Sequence, residues 1–221
     1  MAEHVIKILE SSFITLNVKR FVVEKPKGYS FIPGQATDVS VNLPEWKERF
    51  CPFSFTGLNK WEHLEFMVKV YPERKGVTDL LGRTNSGELI IKEPYGAIQY
   101  KGPGVFIAGG SGITPFISIF RELAKNKQLM GNHLIYSNYT AADVICGAEL
   151  HDMLKDNYIN HYTREGVIGF RERRLNREFL IQYISDFSQR FYVCGSDGFV
   201  KDISEALMSL GATSENLVID K

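Results

Sequence analysis

Val105-Phe106-Ile107-Ala108-Gly109-Gly110-Ser111-Gly112-Ile113-Thr114-Pro115 runs from an apolar tetrapeptide through a glycine-rich turn to a proline. A short apolar run bounded by turn residues reads as a buried strand. Beyond it the apolar period becomes helical, through Pro115–Lys127. The stretch is therefore a strand that passes through a glycine turn into a helix. Glycines let the backbone adopt positive φ and approach a ligand closely. Thr114 suits the position capping the helix, and Pro115 its first turn. Unpaired N–H groups and the dipole at that helix end favour a phosphate. The spacing is not the G-x-G-x-x-G of the commoner dinucleotide fingerprint, and the same glycines would also serve a tight packing turn.

Downstream, strand and helix patterns alternate. His133–Tyr136, Asn157–Tyr162 and Phe191–Cys194 read as strands, and Ala142–Leu154, Asn176–Ile184 and Phe199–Leu210 as helices. Leu217-Val218-Ile219 closes the chain. Such alternation predicts a doubly wound α/β fold around a parallel sheet. Upstream the pattern differs. Phe13–Val23, Ala36–Leu43, His63–Val70 and Leu89–Ile91 read as short strands. Turn chemistry separates them at Lys25-Pro26-Lys27-Gly28, Pro33-Gly34, Leu43-Pro44 and Asn85-Ser86-Gly87, and Val77–Leu81 is the one helical candidate. This half predicts a small antiparallel β-barrel. Tyr100-Lys101-Gly102-Pro103-Gly104 marks the boundary, giving a barrel domain at residues 1–101 and an α/β domain at residues 102–221.

Composition narrows the function classes. The 221 residues suffice for two compact cores. Lys plus Arg and Asp plus Glu are both 26, which argues against a nucleic-acid binder working through a global basic field. No apolar run approaches the roughly 20 residues of a membrane span, and Met1-Ala2-Glu3-His4 does not open a signal peptide. Cys51, Cys146 and Cys194 are too few for a four-cysteine iron–sulfur cluster and suggest a reducing, cytoplasmic setting. None of the five histidines has metal-ligand spacing, so no metal site is expected. Tyr192-Val193-Cys194-Gly195-Ser196-Asp197 follows a late strand, where open α/β sheets bind ligands. A thiol there could lie beside a nicotinamide ring, although Cys194 also suits plain burial.

Read in order along both halves, these segments resemble the ferredoxin–NADP(+) reductase-like family, especially its short flavodoxin/ferredoxin reductase-like members. Pro33-Gly34-Gln35 resembles the family's strand entry, Cys51-Pro52-Phe53-Ser54 its flavin motif, and Gly76-Val77-Thr78 its flavin-phosphate turn. Gly109–Pro115 matches the nicotinamide-nucleotide loop, Tyr136-Ser137-Asn138 the adenosine-side strand end, and Cys194-Gly195 the nicotinamide-side turn. The resemblance implies a flavin-binding barrel, an NAD(P)-binding domain, and a flavin ring between them. It places Phe53 against the isoalloxazine, Ser54 near flavin N5, and Val70 and Tyr71 along the flavin. Gly76, Val77 and Thr78 would meet the flavin phosphate, as a short helix starting there also suggests. Gly110, Ser111, Gly112, Ile113, Thr114, Pro115, Ser137, Asn138, Cys194 and Gly195 would hold the nucleotide, with Ser54 and Cys194 closest to the chemistry.

The chain also departs from the family pattern. Cys51 and Pro52 open the flavin motif where the family has Arg-Pro, so the phosphate charge would come from Arg49, Lys69 or Arg74. No aromatic follows Val218-Ile219-Asp220-Lys221, where Asp220 stands near a family Glu. The resemblance implies FAD in preference to FMN, with NADH or NADPH as donor. Asp143 and the lack of an immediate Arg after Ser137 lean toward NADH. The activity implied is hydride transfer from NAD(P)H to FAD and onward to a separate acceptor, such as flavodoxin or ferredoxin. Arg171-Glu172-Arg173-Arg174 and Arg177 could dock such a small acidic carrier or form a solvated face. A reductase of free flavin and a non-catalytic nucleotide-binding electron-transfer subunit are the competing readings.

Overall fold

The computed structural model describes residues 2–96, 98–165 and 174–219. The chain divides into two compact units, residues 1–99 with 114–122, and residues 100–113 with 123–221.

In the first unit, β1 (His4–Phe13), β2 (Val18–Glu24), β3 (Ala36–Val41), β4 (Cys51–Ser54), β5 (His63–Lys69) and β6 (Glu88–Ile91) form an antiparallel sheet in the order β4-β3-β6-β1-β2-β5. An antiparallel bridge between Phe55 and Phe66 lays the chain after β4 onto β5 and nearly closes the barrel. Full closure removes exposed strand edges. Inward-facing Ile6, Ile8, Phe21, Val39, Phe66 and Ile91 fill the interior. Pro52 lies on β4, a terminal strand of the sheet order, where its missing N–H is tolerated. α1 (Val77–Arg83) packs Val77 and Leu81 into the same core.

Sequence reading takes Phe13–Val23 as one strand, but the chain turns there. Ile14 N donates to Val18 O at 2.9 Å and Val18 N to Thr15 Oγ1 at 3.0 Å, closing the β1–β2 hairpin. Thr and Asn side chains offer the backbone this local alternative to a ladder. Strand β1 itself, with Ile6 and Ile8 inward, carries no sequence expectation.

The second unit holds a parallel sheet of β7 (Gly104–Gly109), β8 (His133–Asn138), β9 (Tyr158–Tyr162), β10 (Arg190–Cys194) and β11 (Leu217–Ile219), in the order β11-β10-β7-β8-β9. The order reverses at β7, so a topological switch point lies between β7 and β10. α3 (Gly147–Leu154), α4 (Arg177–Tyr183) and α5 (Asp197–Ser209) complete this unit, and α2 (Thr114–Lys125) leads from β7 toward β8. Two helix starts differ from expectation. A 3-10 turn, Gly110–Ile113, runs directly into α2, so Thr114 is a helical residue and not a cap before it. The helix expected over Ala142–Leu154 is broken. Asp143 folds back on Thr140, and Cys146 takes a left-handed φ of 54°, so α3 begins at Gly147. No helix of the described residues is long and apolar enough to cross a membrane.

Candidate functional site

The barrel unit gathers the first set of expected residues. β4 pairs with β3 in the register Val39–Cys51, Asp38–Pro52, Thr37–Phe53 and Ala36–Ser54. Strand alternation puts Cys51 and Phe53 on one face, and both pack against the rim of the barrel core while staying half-buried. Burial pushes the Cys51 thiol pKa up, and Asp38 adds to the effect. The thiol is therefore neutral and supplies no charge. Val70 donates its N–H to Asn17 O at 2.7 Å, and its side chain is committed to α1. A Cβ added at Gly82 would lie 2.6 Å from Val70 Cγ1. Any contact Val70 makes with a ligand is thus through its backbone. Tyr71 is half-buried, with the Arg74 guanidinium 4.1 Å and the Lys69 ammonium 5.9 Å from its ring centre.

Gly76 precedes α1 in an extended conformation, Thr78 is half-buried, and Val77 points into the core. The opposite end of α1 is held by Lys19. Its buried ammonium donates to Thr84 O at 2.6 Å, Asn85 Oδ1 at 2.8 Å, Gly82 O at 3.3 Å and Leu81 O at 3.4 Å. A cation there satisfies the last carbonyls and matches the helix dipole. Burial lowers the Lys19 pKa.

This unit also holds a buried charge cluster absent from the sequence reading. The Glu65 carboxylate accepts from Arg20 Nε and Arg121 at 2.6 Å each, and from Thr56 Oγ1 at 2.8 Å. Burial alone would raise its pKa, but Arg121, Arg20 and Thr56 bring it below the usual carboxylate value. Arg121 lies on α2, as does Ser118, whose Oγ accepts from Gly34 N at 3.0 Å. The first turns of α2, Thr114 and Pro115 included, are in this way fixed to the barrel. A lone acid inside the apolar run Leu64-Glu65-Phe66 was the available signal.

The α/β unit gathers the second set. Ala108 and Cys194 are register partners on β7 and β10, so their following turns leave the sheet side by side. Gly112 makes that possible. A Cβ there would lie 2.3 Å from Cys194 O and 2.6 Å from Gly195 N. Gly112 and Cys194–Gly195 therefore form one packed double turn, with half-buried Ser111 beside it and Ile113 inside. Tyr136 stands beneath it. Its buried hydroxyl donates to Gly110 O at 3.0 Å, and burial raises its pKa. No sequence signal marked Tyr136 for this role beyond its place at a strand end.

On β8, Ser137 Oγ lies 3.2 Å from His161 Nδ1, and burial lowers the His161 pKa, favouring neutral imidazole. Asn138 is 5% exposed, and among the described residues neither end of its amide makes a well-formed hydrogen bond, although the Tyr136 hydroxyl lies close. An unpaired buried polar group costs about 1–3 kcal/mol. A ligand offering both a donor and an acceptor, as a ribose hydroxyl does, would relieve it. Next to it, Thr140 gives its N–H and Oγ1 to Asp143, Ala141 N donates to Glu165 Oε1 at 2.6 Å, and Arg164 stacks 3.7 Å from the Tyr139 ring centre.

Of the other sequence candidates, Arg49 sits 4.9 Å from the Trp46 ring centre. Arg171, Glu172, Arg173 and Asp220 lie outside the described residues. A recess of about 520 Å3 on the barrel unit, bordered by His4, Val5, Leu9 and Glu24, includes none of the expected residues. Among the described residues no group of three His, Cys, Asp or Glu side chains could hold a metal.

Residues 106–205 match the family described as the oxidoreductase NAD-binding domain. The chain is 31% identical over 152 residues to a plasma membrane-associated coenzyme Q6 reductase of Saccharomyces cerevisiae, covering 62% of this chain and 47% of that protein. It is 26% identical over 230 residues to NADH–cytochrome b5 reductase 1 of Arabidopsis thaliana, covering 95% of this chain and 80% of the relative. The chain thus spans less than half of the yeast protein. Among solved structures, a ferredoxin NADP+ reductase from Neisseria gonorrhoeae with bound FAD and NADP superimposes with a TM-score of 0.83 at 20% identity, over 99% of this chain and 98% of that one.

Proposed function

We infer that this chain, a member of the ferredoxin–NADP(+) reductase-like family, is a flavin-dependent NAD(P)H oxidoreductase that delivers electrons to a separate acceptor. The observation carrying this reading is the packed double turn at the switch point, where the Gly110–Ile113 turn meets Cys194–Gly195. Ligands of open α/β sheets bind at that place. A bound flavin would supply a hydride acceptor for the nicotinamide and a means of passing electrons onward.

The chain's own residues bind and orient. Gly110, Ser111, Gly112 and Ile113 offer turn backbone to the dinucleotide phosphates, and Thr114 and Pro115 continue that turn into α2. Cys194 and Gly195 flank the nicotinamide. Ser137 and Asn138 meet the adenosine half, and the under-bonded Asn138 amide fits a hydroxyl-bearing ribose. On the barrel, Phe53 supports the flavin ring with Cys51 and Pro52 beside it, and Ser54 gives its hydroxyl to the N5 edge. Val70 and Tyr71 border the ring, and Gly76, Val77 and Thr78 receive the phosphate. FAD is the proposed flavin, since a ferredoxin NADP+ reductase of the same fold carries it. The named relatives include reductases of cytochrome b5 and of coenzyme Q6. A separate electron acceptor of one of those kinds, a one-electron haem protein or a quinone, and not specifically flavodoxin or ferredoxin, is the proposed partner.

Donor choice follows from charge. Two carboxylates, Asp143 and Glu165, close the turn after β8 against one guanidinium, Arg164. A 2′-phosphate would meet net negative charge there. NADH should bind at least about tenfold more tightly than NADPH, and Asp143→Asn with Glu165→Gln should narrow the gap. Titration of both nucleotides against both proteins checks this, and equal affinities in the unaltered chain would remove the basis for it. Ser54→Ala tests the flavin side. Loss of one hydrogen bond worth about 1–1.5 kcal/mol should slow flavin reduction about tenfold with NADH affinity unchanged. An unchanged rate would take Ser54 out of the site.

A further inference from the structure

We propose that the positive charge serving the flavin phosphate in this chain comes from Arg74, stacked on the Tyr71 ring, with Lys69 near the same ring, and not from strand position 51. The proposal rests on the flavin reading above. The Cys51 thiol is neutral, kept so by burial and by Asp38, and cannot pair with an anion. Arg49 stacks on Trp46, in the turn before β4. The loop after β5 is built differently. Val70 N donates to Asn17 O, which pins the strand end, and Lys69 is the register partner of Val18. Pro72–Arg74 then makes a 3-10 turn, closed by Lys75 in a left-handed conformation with φ 46°. That turn folds Arg74 back over the Tyr71 ring at 4.1 Å, with Lys69 at 5.9 Å. Gly76 follows immediately, and an added Cβ there would meet nothing closer than 3.9 Å.

The local charge favours an anion. In the loop itself Arg74 and Lys75 flank Glu73, and the next acid, Asp79, already accepts from Arg83 at 2.8 Å. Among the described residues Arg74 has no carboxylate partner. A guanidinium stacked on an aromatic ring keeps its donors aimed outward and loses less freedom when a phosphate arrives. Charge-assisted hydrogen bonds of this kind are the strong ones, and Arg presents them bidentately to phosphate. The cluster thus supplies, from the loop, what an arginine in the strand would otherwise supply.

The test titrates flavin-free protein with FAD, FMN and riboflavin, followed by flavin fluorescence. Arg74→Ala should weaken FAD and FMN about tenfold and leave riboflavin, which has no phosphate, unchanged. Lys69→Ala in addition should weaken the two phosphorylated flavins further. Arg49→Ala should change none of the three. Cys51→Arg placed in the Arg74→Ala protein should restore FAD affinity, a rescue that a merely structural role for Arg74 would not show. An unchanged FAD affinity in Arg74→Ala, or an equal loss for riboflavin, overturns the proposal while leaving the flavin reading intact. Failure of the unaltered chain to bind any of the three flavins overturns both.

Discussion

Replacing Glu65 with Ala should destabilise the barrel unit by about 3–5 kcal/mol, the usual cost of breaking a buried ion pair from one side. Glu65 is 2% exposed and its carboxylate is shared by Arg20, Arg121 and Thr56. Without it, the Arg20 and Arg121 guanidiniums lose the buried carboxylate they share, and this link from β5 to α2 is lost. Glu65→Gln keeps the shape and should cost less. The effect also has a pH signature. The folded pKa lies below the ordinary 4.5. The stabilisation is therefore fully present above that value and is lost as pH falls through the folded pKa. Urea unfolding at pH 7 and in the acid range should show the altered proteins losing less stability on acidification than the unaltered chain. Equal stability of the Ala variant and the unaltered chain at pH 7 would mean that the pair contributes nothing net.

The second large effect is at Gly112. A methyl group there would lie 2.3 Å from Cys194 O, and backbone on both sides leaves no side chain to move aside. The two turns must separate, at a strain of about 1–3 kcal/mol, and more where neither can shift. Gly112→Ala should raise the NADH dissociation constant at least tenfold, since about 1.4 kcal/mol is one decade. FAD affinity, which the proposal assigns to the barrel unit, should not change. Calorimetric titration of both ligands separates the two. A Gly112→Ala protein that binds NADH normally would show that the double turn is packing alone.

The fold was legible because its signals are local. Val105–Ala108 and its glycine turn announce a strand feeding a helix, and Pro33-Gly34 and Asn85-Ser86-Gly87 mark barrel turns through glycines that do adopt positive φ. Structure departs from sequence expectation where side chains compete with the backbone. Thr15 turns what looks like one strand into a hairpin, and Asp143 spends its carboxylate on Thr140 and breaks a helix. Of the proposed site, the sequence offers only a set of segments. Contacts that join distant residues left little trace in the sequence. Arg121 meets Glu65 across 56 positions and Tyr136 meets Gly110 across 26. Gly112 shows a related limit. Its type suggested room for a ligand, and the structure shows that it makes room for Cys194 and Gly195.

The most direct measurement is an anaerobic titration of the flavin-loaded protein with NADH, and with NADPH in parallel. The flavin colour should fade with one equivalent of NADH, and NADPH should need a higher concentration. A stably bound flavin that neither nucleotide bleaches would contradict the assignment of this chain as a pyridine-nucleotide reductase.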